Sequence, residues 1–537
     1  MKTKLILGAI IFLGLFLRSF DIDKNPPSLY GDELTITLDA YSLLKTGKDQ
    51  LGNSFPLTFE MGAGRPAGYV YGSVPFVALF GPTALGVRGL SILSGVLIIV
   101  LLFYIGKNLF SERLGLSAAF VAAVSPWGIA LSRGGFEAHF ALFLAVLGFY
   151  FFLNAKEKPL FYIYSALSFG LTLHTYPTYK VALPLFLLLL FWFRGKNILG
   201  NSRKHLLTAL LILLFLGLLS FSQTFIGGSE TRFSDINIIS QQDLKASIEQ
   251  KINYERSVTI LPETLSKLMH NKAIEYSKVF IENYLQNFSM DFLFIHGDRN
   301  PRHNMATMGE LYIVELILGL VGLLTSWIKY KKAIIFLISW LVLAPIPTAI
   351  VDLPHALRSA FMLPPLILLS SLGLSIILSR KNRVLLILIA IIFSVQFIFF
   401  LQKLFFLSPN LYSKFWSYPA KQASEIAKEN MNHFDFIILS DKIDNIEFAY
   451  PVYEKIKPSE IMDQNIDRIS LLEYKFKKFG NVYIGNLPGD EAKKLLSDLN
   501  GSVFYVGLPD ESINFTDYQI LQSLDKMPSL LVANKAR

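Results

Sequence analysis

The chain has 537 residues, 52% of them hydrophobic, with 45 phenylalanines and a mean hydropathy of +0.45, too apolar for a soluble protein of this length. A net charge of +9 would suit a nucleic-acid binder only if the basic residues formed one patch; they fall in short clusters between apolar runs, which excludes nucleic acid as a partner. The absence of cysteine excludes disulfides and thiol catalysis.

Residues 1–20 open with Lys2 and Lys4 and continue as an apolar run with no small-residue cleavage site, so they read as an uncleaved first span with its N-terminus in the cytoplasm. Arg18 is expected to snorkel to the outer interface. Pro26 and Pro27 are expected to stop that helix. In Tyr30-Gly31-Asp32-Glu33, Asp32 is placed as the N-cap of a helix with an apolar stripe at Leu34, Leu38, Tyr41 and Leu44 and a stop at Gly47. A carboxylate at the mouth of an apolar cavity is poorly solvated and can serve as a base or a ligand. Residues 69–80 are apolar but too few to span, which suits a re-entrant or interfacial helix.

Further spans are read at 86–106, 115–132, 138–154, 160–175, 180–194, 205–225, 309–327, 333–350, 357–379 and 384–406, giving about eleven transmembrane helices. Alternate connections carry Lys107 and Arg113; Lys156 and Lys158; Arg194, Lys196, Arg203 and Lys204; Lys329, Lys331 and Lys332; and Arg380, Lys381 and Arg383. All fall on one side when the N-terminus is inside, as the positive-inside rule requires. The other side collects loop 21–85, the turn Ser132 to Glu137, the long loop 226–308 and the turn Asp352 to Arg358. Residues 408–537 alternate helical stretches with short apolar strands, the pattern of an α/β domain outside the cytoplasm. The expected fold is an α-helical polytopic membrane protein, residues 1–407, with a C-terminal soluble α/β domain, residues 408–537.

Arg65 and Arg358 are candidates for binding a phosphate through planar, permanently charged guanidinium groups. Glu137 follows Arg133 by one helical turn, and an internal salt bridge explains that pair as well as a role for Glu137 in a site does. In Phe294 to Asn304, His296, Asp298 and His303 could hold a metal, although their spacing matches no defined site and a hydrogen-bonded loop explains them as well.

The order of these features resembles the polyprenyl-phosphate-dependent glycosyltransferases of the GT-C class, which include protein O-mannosyltransferases and the aminoarabinose transferase of lipid A. Asp32-Glu33 matches that family's acidic pair after the first span, and Arg65-Pro66 resembles its basic residue beside the donor phosphate. Glu137 is similar to its second acid. Gly297-Asp298-Arg299-Asn300-Pro301-Arg302-His303 looks like its Gly-Asp-x-Asn-x-Arg-His stretch, and Pro354-His355-Ala356-Leu357-Arg358 resembles a later turn. The resemblance covers roughly residues 1–407; it departs from the family in having Glu at the second acid and Arg at the phosphate-binding base. It implies a multi-pass enzyme of the cell membrane that moves a sugar from a polyprenyl-phosphate donor to a hydroxyl on a lipid, glycan or protein, on the extracytoplasmic face and with inversion. Asp32 would be the base, with Glu33 and Glu137 assisting. Arg65, His355 and Arg358 would bind the donor phosphate, and His296, Asp298, Arg299 and His303 would face the acceptor or a divalent metal, which these residues do not require.

A secondary transporter would also be polytopic, but it should place ionisable residues in mid-span and often shows an inverted repeat. A scaffold would leave the gathering of acid, Arg and His on one side unexplained. The topology is tested by single cysteines introduced within 226–308 and 408–537. Both should label with a membrane-impermeant reagent on intact cells, and labelling of only one would overturn the arrangement.

Overall fold

The computed structural model of the protein describes residues 1–61, 64–194, 203–225, 237–380, 383–487, 491–515 and 517–535. Lys196, Lys381 and residues 226–236 of the loops read above lie outside these. The helices relevant here are α1 (Lys2–Ser19), α2 (Gly31–Thr46), α3 (Gly68–Phe80), α4 (Ala84–Leu109), α5 (Glu112–Val124), α6 (Pro126–Arg133), α7 (Glu137–Asn154), α8 (Phe161–Leu173), α9 (Tyr179–Arg194) and α10 (Arg203–Phe225). They are followed by α11 (Gln242–Val258), α12 (Glu263–Met269), α13 (Lys272–Gln286), α14 (Ile313–Leu343), α15 (Ile346–Val351), α16 (Leu363–Arg380) and α17 (Arg383–Gln402).

Six described helical stretches are long and apolar enough to cross a membrane, or seven when α5 and α6 count as one bent span, against about eleven read from the sequence. Helix α1 carries Lys2, Lys4 and Arg18 within its 18 residues, and α8 and α9 have 13 and 16 residues. The expected pair 309–327 and 333–350 falls in one helical stretch, α14, in which two helices join across a kink at Tyr330 (φ −123°, ψ 25°). A straight 31-residue helix would carry the chain about 46 Å away. Yet Trp127 binds both flanks, its backbone N–H donating to Glu310 O and its indole N–H to Ala356 O at 3.0 Å. The chain therefore reverses near Tyr330, whose ring meets Phe110 at the far end of α4. Lys332 lies over Phe193 there, and Asn108 bonds Asn154, so the described basic ends of α4, α7, α9 and the reversal share the face opposite α2.

The expected straight span 115–132 is broken at Ser125-Pro126, where α5 and α6 meet at 55°. Pro126 has no N–H for Ala122 O, so a set of carbonyls is orphaned inside the bundle. Arg18 takes them: Nη2 donates to Ala122 O at 2.9 Å, Nη1 to Ala123 O at 2.9 Å, and Nε to Ser132 Oγ at 3.1 Å. The Tyr312 hydroxyl donates to Val124 O at 3.0 Å. Arg18 is thus buried at 2% exposure rather than snorkelling. A cation at a helix C-terminus, where carbonyl dipoles converge, is well placed. Arg133 does the same for the end of α1, donating to Leu17 O, Phe20 O and Asn25 O. It is not paired with Glu137 as the sequence suggested, and α1 ends at Ser19, seven residues before Pro26.

Residues 436–535 carry a seven-stranded sheet in the order β4 (Ile469–Leu471), β5 (Tyr474–Phe479), β6, β3, β7, β9 (Pro528–Lys535), β8 (Gln519–Gln522). Its centre is parallel, with β3 (Phe436–Ser440) between β6 (Val482–Gly485) and β7 (Val503–Gly507). Helices α18 (Tyr418–Asn430), α19 (Ile446–Tyr453) and α20 (Pro458–Ile466) accompany it. The apolar side chains of α19 and α18 share one core with Leu34, Leu38 and Leu43 of α2. Helix α2 is therefore buried from Leu34 through Ala40 and not along one stripe; Tyr41 is half-buried and Leu44 is exposed. Gly47 ends it in the left-handed region (φ 72°), with its N–H on Leu43 O, as its sequence position implies.

Glu33 of α2 and Arg88 of α4 join the two halves. Arg88 Nε and Nη2 donate to the two Glu33 oxygens at 2.8 Å each, and both side chains are fully buried. Arg88 further donates to Ile22 O, Pro26 O and Ser28 O, and Gly135 N–H donates to Glu33 Oε1 at 2.8 Å. Arg88→Met leaves a buried carboxylate without its cation and should destabilise the protein by about 3–5 kcal/mol, whereas adding Glu33→Gln should recover part of the loss. Thermal unfolding of the purified variants checks this; equal losses in both would deny the pair its role.

Candidate functional site

Helix α2 starts at Gly31 with Tyr30 as its N-cap, so Asp32 is the second helical residue and not the cap expected. Its carboxylate still benefits from the free N–H groups and positive dipole end of the first turn. The two neighbouring acids differ sharply. Asp32 is 47% exposed, while Glu33 is sealed against Arg88 and cannot touch an acceptor.

Arg65 lies in β2 (Arg65–Pro66), paired antiparallel with β1 (Thr58–Phe59). This two-stranded ribbon pins it at 2% exposure between three acceptors. Nη2 donates to Asp32 Oδ1 at 2.8 Å, Nη1 to Thr35 Oγ1 at 2.9 Å, and Nε meets Glu137 Oε1 at 2.5 Å. Burial works against its charge, but Glu137, Asp32 and Asp39 outweigh it and hold the guanidinium above its ordinary pKa. Arg65 thus engages carboxylates in this arrangement, where the sequence reading gave it a phosphate. Glu137, the first residue of α7, is the expected second acid and stands at 12% exposure on the other side of Arg65.

A second cluster lies across two aromatic rings. Phe136 touches Tyr30 at 6.0 Å and His303 at 5.8 Å between ring centroids. Asp298 Oδ2 accepts from His303 Nδ1 at 3.2 Å and from Ala356 N–H at 2.7 Å, and His355 Nδ1 is 3.8 Å from the same oxygen. The two imidazoles are 4.4 Å apart. Burial penalises the Asp298 charge, but the His303 hydrogen bond and the two neighbouring imidazoles prevail and hold the carboxyl down to about 2, while burial, and then His303, push the His355 imidazole well below its ordinary value. His296 is not part of this group; it is exposed and bonded to Asp291. Arg299 is exposed as well. The metal set anticipated as His296, Asp298 and His303 is therefore replaced by Asp298, His303 and His355, whose ligand atoms lie within 4.8 Å of one another. One carboxylate oxygen and two imidazole nitrogens suit a divalent cation.

Two guanidinium groups border this cluster without an acidic partner among the described residues. Arg302 stacks over the Tyr30 ring at 5.2 Å with Nε buried and unbonded, and Arg358 keeps a buried, unbonded Nη1. Buried donors without acceptors are costly, and an anion would satisfy them. Tyr30 itself is 5% exposed. Burial, then Asp32, Glu33 and Glu137, raise its hydroxyl well above the ordinary range, against Arg65, so it remains a hydrogen-bond donor. Glu310, also buried, accepts from Asp298 N–H at 2.9 Å; burial and then the Asp298 charge push its carboxyl well up.

Arg88, Tyr30, Thr35 and Glu310 escaped the sequence reading, and Arg302 was seen only as part of a motif. Arg88 had a signal, since an arginine at the third position of an apolar run is rare unless paired. Tyr30 and Thr35 had none.

Residues 68–221 match the family described as dolichyl-phosphate-mannose-protein mannosyltransferase. The structure is similar to that of ArnT from Cupriavidus metallidurans bound to undecaprenyl phosphate, with 11% identity, a TM-score of 0.52, and coverage of 99% of this chain and 97% of that one. It is also similar to the archaeal oligosaccharyltransferase AglB from Archaeoglobus fulgidus in complex with an inhibitory peptide and a dolichol-phosphate, with 13% identity, a TM-score of 0.50, and coverage of 95% and 70%. No curated protein matches the chain by sequence. The chain is a multi-pass membrane protein with the fold of the GT-C class that its motif order resembles.

Asp39, two turns along α2 from Asp32, is buried with Oδ1 bonded to Gln50 N–H and Nε2. Burial outweighs those bonds and the pull of Arg65, raising its carboxyl to about 7. A folded-state pKa above the unfolded value means that stability falls as pH rises from about 4 to about 7 and is level beyond. Asp39→Asn should therefore raise stability at pH 8 by at most about 4 kcal/mol and leave it unchanged near pH 4. Melting temperatures at both pH values measure this; no gain at pH 8 would show that Asp39 ionises without cost.

Proposed function

We propose that this GT-C-fold chain is a membrane glycosyltransferase that transfers a sugar from a polyprenyl-phosphate donor to an acceptor hydroxyl with inversion. The alternation of basic connections along the sequence supports a reaction on the extracytoplasmic face of the cell membrane. The observation that carries the reading is a half-exposed carboxylate, Asp32, on one side of the Tyr30 and Phe136 rings and, on the other, two partly buried arginines, Arg302 and Arg358, that have no acidic partner among the described residues. Undecaprenyl phosphate in the ArnT structure and dolichol-phosphate in the AglB structure fit the donor class.

In this reading the donor phosphate lies against Arg358, Arg302 and His355. The acceptor oxygen attacks the anomeric carbon, its proton passes to Asp32, and the bond from that carbon to the phosphate oxygen breaks. Charge then grows on the departing phosphate, where the guanidinium groups are already oriented and little reorganisation is needed. Arg65 acts through Asp32 and Glu137: its guanidinium bridges and aims both carboxylates, and Glu137 receives the acceptor. A divalent cation held by Asp298, His303 and His355 would add positive charge beside the phosphate, and no step depends on it. The in-span cations Arg18 and Arg133 are spent on backbone carbonyls, which leaves them no part in a transport path.

Asn is nearly isosteric with Asp and keeps the first turn of α2 intact, but it cannot take a proton at neutral pH. Asp32→Asn should reduce transfer from a synthetic polyprenyl-phosphate sugar by about 10²–10⁴-fold while donor binding persists. Near-native turnover by a monodisperse variant would remove Asp32 from the mechanism.

A further inference from the structure

The C-terminal domain approaches the membrane part closely at the N-terminus of α2. A Cβ added to Gly31, the residue before Asp32, would sit 2.5 Å from Asn445 Oδ1, closer than any relaxed contact. Asn445 precedes α19 in the left-handed region at φ 63°. It is not free to swing: its Nδ2 donates to Ser417 Oγ at 2.9 Å, and Ser417, itself at φ 51°, donates to Asp444 Oδ2 at 2.9 Å.

Other contacts converge on the same segment. The Tyr453 hydroxyl, from the last turn of α19, accepts from Leu29 N–H at 3.0 Å and bonds Ser28 Oγ at 2.8 Å. Lys421 Nζ donates to Pro27 O at 3.2 Å, and Asn465 of α20 donates to Gln50 O at 3.0 Å beyond the far end of α2. Trp416 lies edge-on to Tyr30, with the Arg88 guanidinium over its ring at 5.4 Å. Residues 27–31 are thus held from the bundle by Arg88 and from the other side by the C-terminal domain. The acid one residue further on has no freedom of its own.

We propose that the C-terminal domain is a working part of the catalytic site, and that Asn445 is a positioning residue that sets where Asp32 stands. This rests on Asp32 being the base. The fit of Asn445 on Gly31 fixes the first turn of α2, and through it the distance from Asp32 to Arg65 and to the acceptor oxygen. A displacement of about 1 Å at such a site can cost up to about 10²-fold in rate.

The test uses the full chain in nanodiscs and a compensating pair of substitutions. Gly31→Ala should lower kcat 10- to 100-fold with donor affinity and donor KM unchanged. Asn445→Gly removes Oδ1 and tolerates the left-handed backbone; combined with Gly31→Ala it should restore most of the rate. Hydrogen exchange at amides 31–35 reads the same contact without reference to transfer, rising in Gly31→Ala and falling back in the double variant. If Gly31→Ala does not fold, Asn445→Gly alone serves, with faster exchange at 31–35 and a lowered kcat at unchanged donor affinity in an otherwise intact protein. Near-native transfer and exchange in Gly31→Ala, or a double variant as impaired as the single, would overturn the proposal. Exchange that follows the proposal while transfer does not would instead place the fault with Asp32 as the base.

Discussion

The arrangement of the site face depends on one buried ion pair. Glu33 and Arg88 are both fully sequestered, and an isolated charge in such a place is untenable. Their bidentate contact is supplemented by four backbone groups, from Ile22, Pro26, Ser28 and Gly135, so that every part of the site-face loop is measured from it. Two adjacent acids consequently have opposite tasks. Glu33 is consumed by the fold, and because a helix turns about 100° per residue, its anchoring turns Asp32 toward the opening and Arg65.

Within the site, charge is divided between two groups separated by Tyr30 and Phe136. The α2 side holds two carboxylates bridged by Arg65, a set with more acidic than basic groups. The loop side holds Asp298 with two imidazoles and two arginines lacking an acidic partner among the described residues, a set with positive excess. A substrate with a hydroxyl at one end of its reacting geometry and a phosphate at the other would meet complementary fields at each end. Tyr30, protonated and wedged between them, keeps the two sets from collapsing onto each other.

Much of this was legible in the sequence where a residue's effect is local. The apolar runs, the basic clusters, the acidic pair after the first span and the Gly47 stop depend on neighbours a few positions away. What could not be read depends on partners far along the chain. Arg18 looked like an interfacial anchor because its acceptors, Ala122, Ala123 and Ser132, lie beyond a proline break that a hydropathy window averages away. Glu137 and Arg133 looked like a helical pair because they are one turn apart, yet a break between α6 and α7 sends them to Arg65 and to the end of α1. His355 replaced His296 beside Asp298 because loop closure, not spacing, brought the 354–358 turn to the 298–303 loop. The all-round burial of α2 required a second domain whose contact with it no periodicity records.

The Ser125-Pro126 break also constrains how the chain is made. Arg18 finds its carbonyls 104 and 105 residues downstream of itself. At about 5–20 residues per second of synthesis, the first helix exists for roughly 5–20 s before they emerge. Through that interval its arginine has no acceptor at its final depth, and the low-energy place for it is the headgroup region. It follows that α1 enters the bilayer shallow and is drawn to its final register only when the kinked helix arrives. The order of insertion, rather than the hydrophobicity of α1 alone, fixes where the loop bearing the acidic pair comes to stand above the membrane.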